Sequence, residues 1–147
     1  MPESRYDLLR FLQAQETVYP EVLAELRAGH KKTHWMWFIF PQIAGLGHSV
    51  TAKHYAIADI HEARDFLDHP ILGARLRECS TLLLQHKGKP IDRILGTPDD
   101  LKLRSSMTLF ANASPNKTHR KLFESVLEEF YDGQTDTKTL KRLNRAT

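Results

Sequence analysis

The chain has one cysteine, Cys79, so no internal disulfide is available to it. That residue sits at an apolar helical position and reads as a buried structural thiol. There is no uninterrupted apolar run of about 18 residues, which argues against a transmembrane helix. The opening residues Met1-Pro2-Glu3-Ser4-Arg5 contain no apolar signal region, so the expected location is cytoplasmic and no membrane partner is expected. Internal repeats, low-complexity segments and linker-like stretches are missing too, and the expectation is a single domain over residues 1–147. Charge of one sign is not in large excess. The 21 Lys and Arg residues against 18 Asp and Glu give a net charge of +3. The basic residues of Lys117 to Lys121 and of the tail (Lys138, Lys141, Arg142, Arg145) read as solvated helix faces, and nucleic acid is not the expected partner.

The marks of several enzyme classes are absent as well. No serine lies in a nucleophile elbow. No carboxylate pair stands out as general acid and base, which counts against a hydrolase. Asp99, Asp100 and Glu62 read as helix-start residues, and Glu128 and Glu129 as an exposed face. His30 and His34 have the spacing of a helical metal pair. The zinc-protease version needs Glu beside the first His, where this chain has Lys31 and then Lys32. Two ammonium groups repel a divalent cation, so neither a metal site nor a cofactor is expected.

What the chain does have is a core. At 147 residues, with 41% hydrophobic and 27% charged content, it is long enough to bury one. The densest part is His34-Trp35-Met36-Trp37-Phe38-Ile39-Phe40-Pro41-Gln42, which holds both tryptophans. Six consecutive apolar residues are readable as a buried strand. A lone strand among helices has no backbone partner, so we read a helical turn or irregular segment threaded through the core and ended by Pro41. Around it the apolar spacing is helical. Leu8, Leu9, Phe11 and Leu12 form one stripe; Tyr19, Val22, Leu23 and Leu26 form a second, with Thr17 as cap and Gly29 as stop. Residues 43–49 form a loop and Thr51 to Ala58 a short helix. Asp59 with Glu62 resembles a capping box. Pro70 suits the first turn of a helix carrying Leu72, Leu76, Cys79 and Leu83 and ended by Gly88. Ile91, Ile94 and Leu95 make a short turn. Thr97-Pro98-Asp99-Asp100 reads as a helix start. A helix from about Pro115 to Asp132 and a last one capped by Asp136 complete an all-α fold of about seven to nine short helices.

Two stretches combine polar and apolar residues in a way that suggests a site. In the first, Lys31, Lys32 and His34 precede the tryptophan pair. Lysine holds a phosphate as a point charge, and a planar ring stacks on tryptophan. The loop Gly45-Leu46-Gly47-His48-Ser49 adds backbone N–H groups nearby. The bland alternative is that the tryptophans are core, the lysines solvated and His34 a hydrogen-bonded core histidine. In the second stretch, a helix sets Lys102 and Ser106 on one face and Leu101, Arg104 and Ser105 on another. Two serines and two bases in an apolar helix either line a pocket or bond the preceding turn.

The motifs around His34 to Gln42 and from Asp99 to Phe110 resemble a bacterial and fungal family built on a domain of unknown function. Its members are sometimes labelled "calpastatin". Tyr55-Ala56-Ile57 and His69-Pro70 extend the resemblance in order along the chain. It implies an all-α single domain and no particular activity. The calpain inhibitors of that name are disordered repeat proteins, whereas this chain has a packed-core composition. The segment Thr51-Ala52-Lys53-His54-Tyr55, followed by a proline-led helix, is similar in layout to the NADAR-type N-glycosidases, which act on ADP-ribose-like or riboflavin-pathway nucleotides. Those enzymes carry glutamate where this chain has Lys53, so the resemblance implies a nucleotide-like ligand more than the reaction. The expected function is binding of a small anionic, nucleotide-like ligand. The site residues are His34, Trp35, Trp37, Gln42, Lys53, Lys102, Arg104, Ser105 and Ser106. The alternatives are an N-glycosidase-like enzyme and a non-catalytic interaction domain.

Overall fold

The computed structural model describes residues 6–145, and side chains as far as residue 144. The expectations drawn from Met1 to Arg5 and from the side chain of Arg145 lie outside the described residues. Among these, the fold is ten α-helices: α1 Leu9–Glu16, α2 Tyr19–Ala28, α3 Met36–Ile39, α4 Val50–His54, α5 Ile60–Asp68, α6 Leu72–Leu84, α7 Ile91–Leu95, α8 Asp99–Ala113, α9 Lys117–Tyr131 and α10 Thr137–Arg145. The count slightly exceeds the expected range because short segments read as turns, Met36–Ile39 and Ile91–Leu95, are helical.

Helix α8 is the axis of the domain. It packs against α9, α5, α10 and α7, and touches α3. From Leu103 to Ala113 nearly every residue is buried, including Ser105, Ser106 and Thr108. The buried faces of such a helix accept only small polar groups. Thr108 fits because its hydroxyl donates to the Arg104 carbonyl at 2.8 Å and accepts from the Asp136 N–H at 3.0 Å. Around this axis a chain of aromatic contacts runs Phe11–Phe66–Phe110–Phe123, with ring centroids 5.1 to 6.2 Å apart.

The helix ends follow local chemistry, with some differences from the sequence expectations. Asp59 caps α5 by accepting from the N–H groups of His61 and Glu62. Glu62 reaches back to the Ala58 N–H at 2.7 Å, one residue beyond the usual capping box, and also pairs with Arg10. Thr17 and Thr97 do not cap; α2 and α8 begin after Val18 and Pro98, neither of which makes a side-chain cap bond. Pro70 lies in the turn before α6, which His69 Nδ1 caps instead by accepting from the N–H groups of Ile71 and Leu72. Helix α6 stops at Leu84, short of Gly88. Asn116, not Pro115, starts α9 by accepting from the His119 N–H. Asp136 caps α10, accepting from the Thr139 N–H at 3.3 Å.

Candidate functional site

The first element of the site is the loop between α2 and α3. Gly29 adopts φ 68°, a left-handed conformation that glycine reaches without Cβ strain. The His30 N–H then bonds Glu25 O and the Gly29 N–H bonds Leu26 O, closing α2 in a Schellman pattern. The chain turns back over its own helix, and Glu25 holds it there. Oε1 accepts from the N–H groups of Lys32 (2.6 Å) and Thr33 (2.9 Å) and from Trp35 Nε1 (3.1 Å), while Oε2 accepts from Thr33 Oγ1 at 2.6 Å. Burial alone would raise the carboxyl pKa. The bonds from Thr33, Lys32 and Trp35 outweigh it and hold Glu25 down at about 2. The Lys31 N–H bonds Ile94 O at 2.7 Å, and His86 and Lys89 bond the carbonyls of Leu26 and Gly29, so the loop is fixed from both sides.

This clamp builds one wall of a cavity of about 370 Å³. Trp35 is buried, 1% exposed, and Trp37 two residues on is half-buried. Met36, Leu95 and Pro98 add apolar surface, and Lys31, His34, Asp99 and Lys102 add charge or polarity. Asp99 joins the two lysines: its Oδ2 lies 2.8 Å from Lys31 Nζ and its Oδ1 3.6 Å from Lys102 Nζ. Each ammonium also sits over an indole, Lys31 5.2 Å from the Trp35 ring centroid and Lys102 5.1 Å from that of Trp37.

A second cavity, of about 420 Å³, adjoins the first and shares Lys102 and Pro98 with it. Its walls include Gln42, Leu101, Arg104, Ser105, Asp136 and Lys138. Ile43 and Ile57 form an isolated parallel bridge, flanked by Ala44 N–H to Ile57 O at 2.7 Å and Ile57 N–H to Gln42 O at 2.8 Å. That bridge fixes Gln42 and the loop to Gly47. Asp136 is the hub on the other side. Its Oδ2 accepts from Ser105 Oγ (2.9 Å), Thr139 Oγ1 (2.5 Å) and the Thr139 N–H. Its Oδ1 stands 3.9 Å from Arg104 Nη2, beyond hydrogen-bond reach. Among the described residues the Arg104 guanidinium has no closer acidic partner. A third space of about 10 Å³, the size of one water, is lined by both Trp37 and Gln42.

Of the sequence-derived residues, His34, Trp35, Trp37 and Lys102 line the first cavity, and Gln42, Lys102, Arg104 and Ser105 the second. Ser106 is fully buried, with no hydrogen-bond partner for its hydroxyl among the described residues, and lines neither cavity. Lys53 is exposed on α4 and also lines neither. His30 and His34 lie in the loop, so helical metal-pair spacing does not apply to them. Among the described residues no group of three or more His, Cys, Asp or Glu is placed to hold a metal ion. No described helix is long and apolar enough to cross a membrane. The sequence reading missed Glu25, and it gave Asp99 only a helix-start role. A carboxylate on the apolar stripe of α2, three residues after Val22, was the available signal for Glu25.

Residues 5–143 match the family model described as a protein of unknown function (DUF1810), and the chain belongs to that family. It is similar over its length to the crystal structure of the conserved hypothetical protein Rv1873 from Mycobacterium tuberculosis. The two share 48% sequence identity, with 96% of this chain and 99% of that chain covered and a TM-score of 0.92. No curated protein matches.

Proposed function

We propose that this DUF1810 protein binds a small anionic, nucleotide-like ligand across the paired cavities. The observation that carries the reading is their junction. Two cavities of about 370 and 420 Å³ meet at Lys102 and Pro98, one offering the indole of Trp37 and the other the guanidinium of Arg104. Each volume is in the range of small-molecule sites, about 300–1,000 Å³. A half-buried indole gives a planar ring a stacking face. Lysine and arginine around a concave wall attract and hold negative charge.

The test is a thermal-shift screen of nucleotides, ADP-ribose, flavin precursors and simple phosphates. A compound that binds the native state raises the melting temperature by mass action. The expected result is a rise with a nucleotide that disappears in a folded Trp37→Ala variant. No rise with any of these compounds would overturn the proposal.

A second reading, an N-glycosidase-like enzyme, draws on Asp99 and His34, which both face the cavity beside Trp37. Against it, Asp99 is engaged by two lysines. Release of nicotinamide or a free base from ADP-ribose-type glycosides, lost in Asp99→Asn, would favour it over binding alone. The interaction-domain alternative draws on exposed apolar side chains, Val50 at 87% and Leu101 at 55%. It gains weight if the ligand screen is blank.

A further inference from the structure

We infer that the two cavities divide the ligand, with a diphosphate held beside Arg104, a planar ring held beside Trp37, and Lys102 at the boundary. This rests on the ligand-binding reading above and sharpens it to nucleoside diphosphates and diphosphate-linked nucleotides.

The assignment follows from which donors are already engaged. On the Trp37 side, Lys31 is nearly buried and lies 2.8 Å from Asp99 Oδ2, so its charge is matched internally. Besides His34 and Thr97, what that cavity still offers is apolar: Trp37, which has Lys102 Nζ over one part of its ring, with Met36, Leu95 and Pro98. That is a surface for a ring. On the Arg104 side, the lining carboxylate is Asp136, whose Oδ2 already accepts three hydrogen bonds. The guanidinium stands 3.9 Å from the other oxygen, with a third of its side chain exposed at 32%. Lys138 borders the same cavity and forms no ion pair among the described residues. A planar fork of unused N–H donors fits the oxygens of a phosphoryl group two at a time, in a way an ammonium does not.

The placement of the unmatched cations then sets the number of phosphates. Lys31, Lys102, Arg104 and Lys138 against Asp99 and Asp136 leave two positive charges over the joined cavities, histidine not counted. Both uncommitted cations, Arg104 and Lys138, are on the second cavity's wall, and Lys102 lies between them and the ring. Two linked phosphates extending from a ring at Trp37 past Lys102 to Arg104 engage all three. A monophosphate held at Lys102 leaves the Arg104 fork empty, and a bare nucleoside leaves both Arg104 and Lys138 empty.

The experiment is isothermal titration of the full chain with ADP, AMP and inorganic pyrophosphate, on wild type, Arg104→Ala, Arg104→Lys and Trp37→Leu. The expected result is ADP binding at least tenfold tighter than AMP, with measurable pyrophosphate binding. Arg104→Ala should lower ADP affinity tenfold or more and abolish pyrophosphate binding. Arg104→Lys, the safeguard if the alanine variant fails to fold, should recover only part of the loss because it restores charge without the fork. Trp37→Leu should weaken ADP yet leave pyrophosphate within about twofold, since stacking acts on the ring alone. Equal affinities for ADP and AMP, unaffected by Arg104→Ala but abolished by Trp37→Leu, would overturn the division while leaving nucleotide binding intact. Pyrophosphate binding that depends on Trp37 would overturn it too. No binding of any of the three to wild type would overturn both the division and the ligand reading.

Discussion

The two cavities lie side by side along α8, yet their polar groups are in opposite states. On the Trp37 side the charges answer one another: Glu25 takes four hydrogen bonds from the loop and Asp99 bridges two lysines. On the Arg104 side, Asp136 Oδ2 is occupied by Ser105 and Thr139, and the guanidinium is left 3.9 Å from Oδ1. A buried polar group whose partners are all internal holds the fold together. A cation whose donors face open space is available to something outside. The difference separates residues that build the walls from residues left open to the proposed ligand, although both kinds are charged.

The sharpest way to break the comparison is at its most engaged group. Glu25→Ala leaves the N–H groups of Lys32 and Thr33, the Thr33 hydroxyl and the Trp35 indole without their acceptor. The expected loss is about 2–4 kcal/mol in urea denaturation. The same carboxylate predicts a pH effect. Its folded pKa of about 2 lies below its ordinary value of 4.5, so the folded state holds the proton less readily. The stabilisation, about 3 kcal/mol, is therefore complete above about pH 5 and lost as pH falls towards 2. Denaturation midpoints measured from pH 6 to 2.5 should drop less steeply in Glu25→Gln than in wild type. A slope unchanged in that variant would contradict the clamp.

A smaller effect is expected where α8 meets α10. Ser105→Ala removes a 2.9 Å bond to the Asp136 carboxylate and should cost about 1–2 kcal/mol. Its neighbour gives the contrast. Ser106→Ala removes a hydroxyl that has no partner among the described residues, so stability should stay level or rise by a few tenths of a kcal/mol. Arg104→Ala, on the binding side, should stay within about 0.5 kcal/mol of wild type, because a partly exposed pair at 3.9 Å contributes little. A loss comparable to that of Ser105→Ala would move Arg104 into the structural group.

Much of the fold was legible because it is written in local spacing. The Leu and Phe stripes set the helices, Gly29 ended α2, and Asp136 capped α10. The aromatic run as a helical turn through the core, rather than a strand, followed from the lack of any strand partner. The cavity walls were legible in part. Lys102, Arg104 and Ser105 drew notice as polar residues in an apolar helix, but spacing gives the face and not the depth. Ser106 shares a face with Lys102, one turn further into the core, where it meets no solvent. Trp35 and Trp37 looked equivalent in sequence. They differ because Glu25, ten residues before Trp35, captures one indole N–H and draws that ring inward. Glu25 itself escaped notice because one acidic residue in an amphipathic helix usually points to water. Its role exists only once Gly29 turns the chain back. Asp99 was correctly placed in a first helical turn, but its pairing with Lys31 depends on the loop docking against α7, which no local pattern encodes.

The two tryptophans provide the most direct test, because each gives its own indole N–H signal in a ¹⁵N–¹H NMR spectrum. One belongs to the fixed interior and the other to the open wall. Titration with ADP should move the Trp37 indole signal and the Arg104 side-chain Nε–H, while the Trp35 signal, held by Glu25, stays nearly still. If millimolar ADP moves neither Trp37 nor Arg104, or moves Trp35 alone, the open wall is not a binding surface and the account fails.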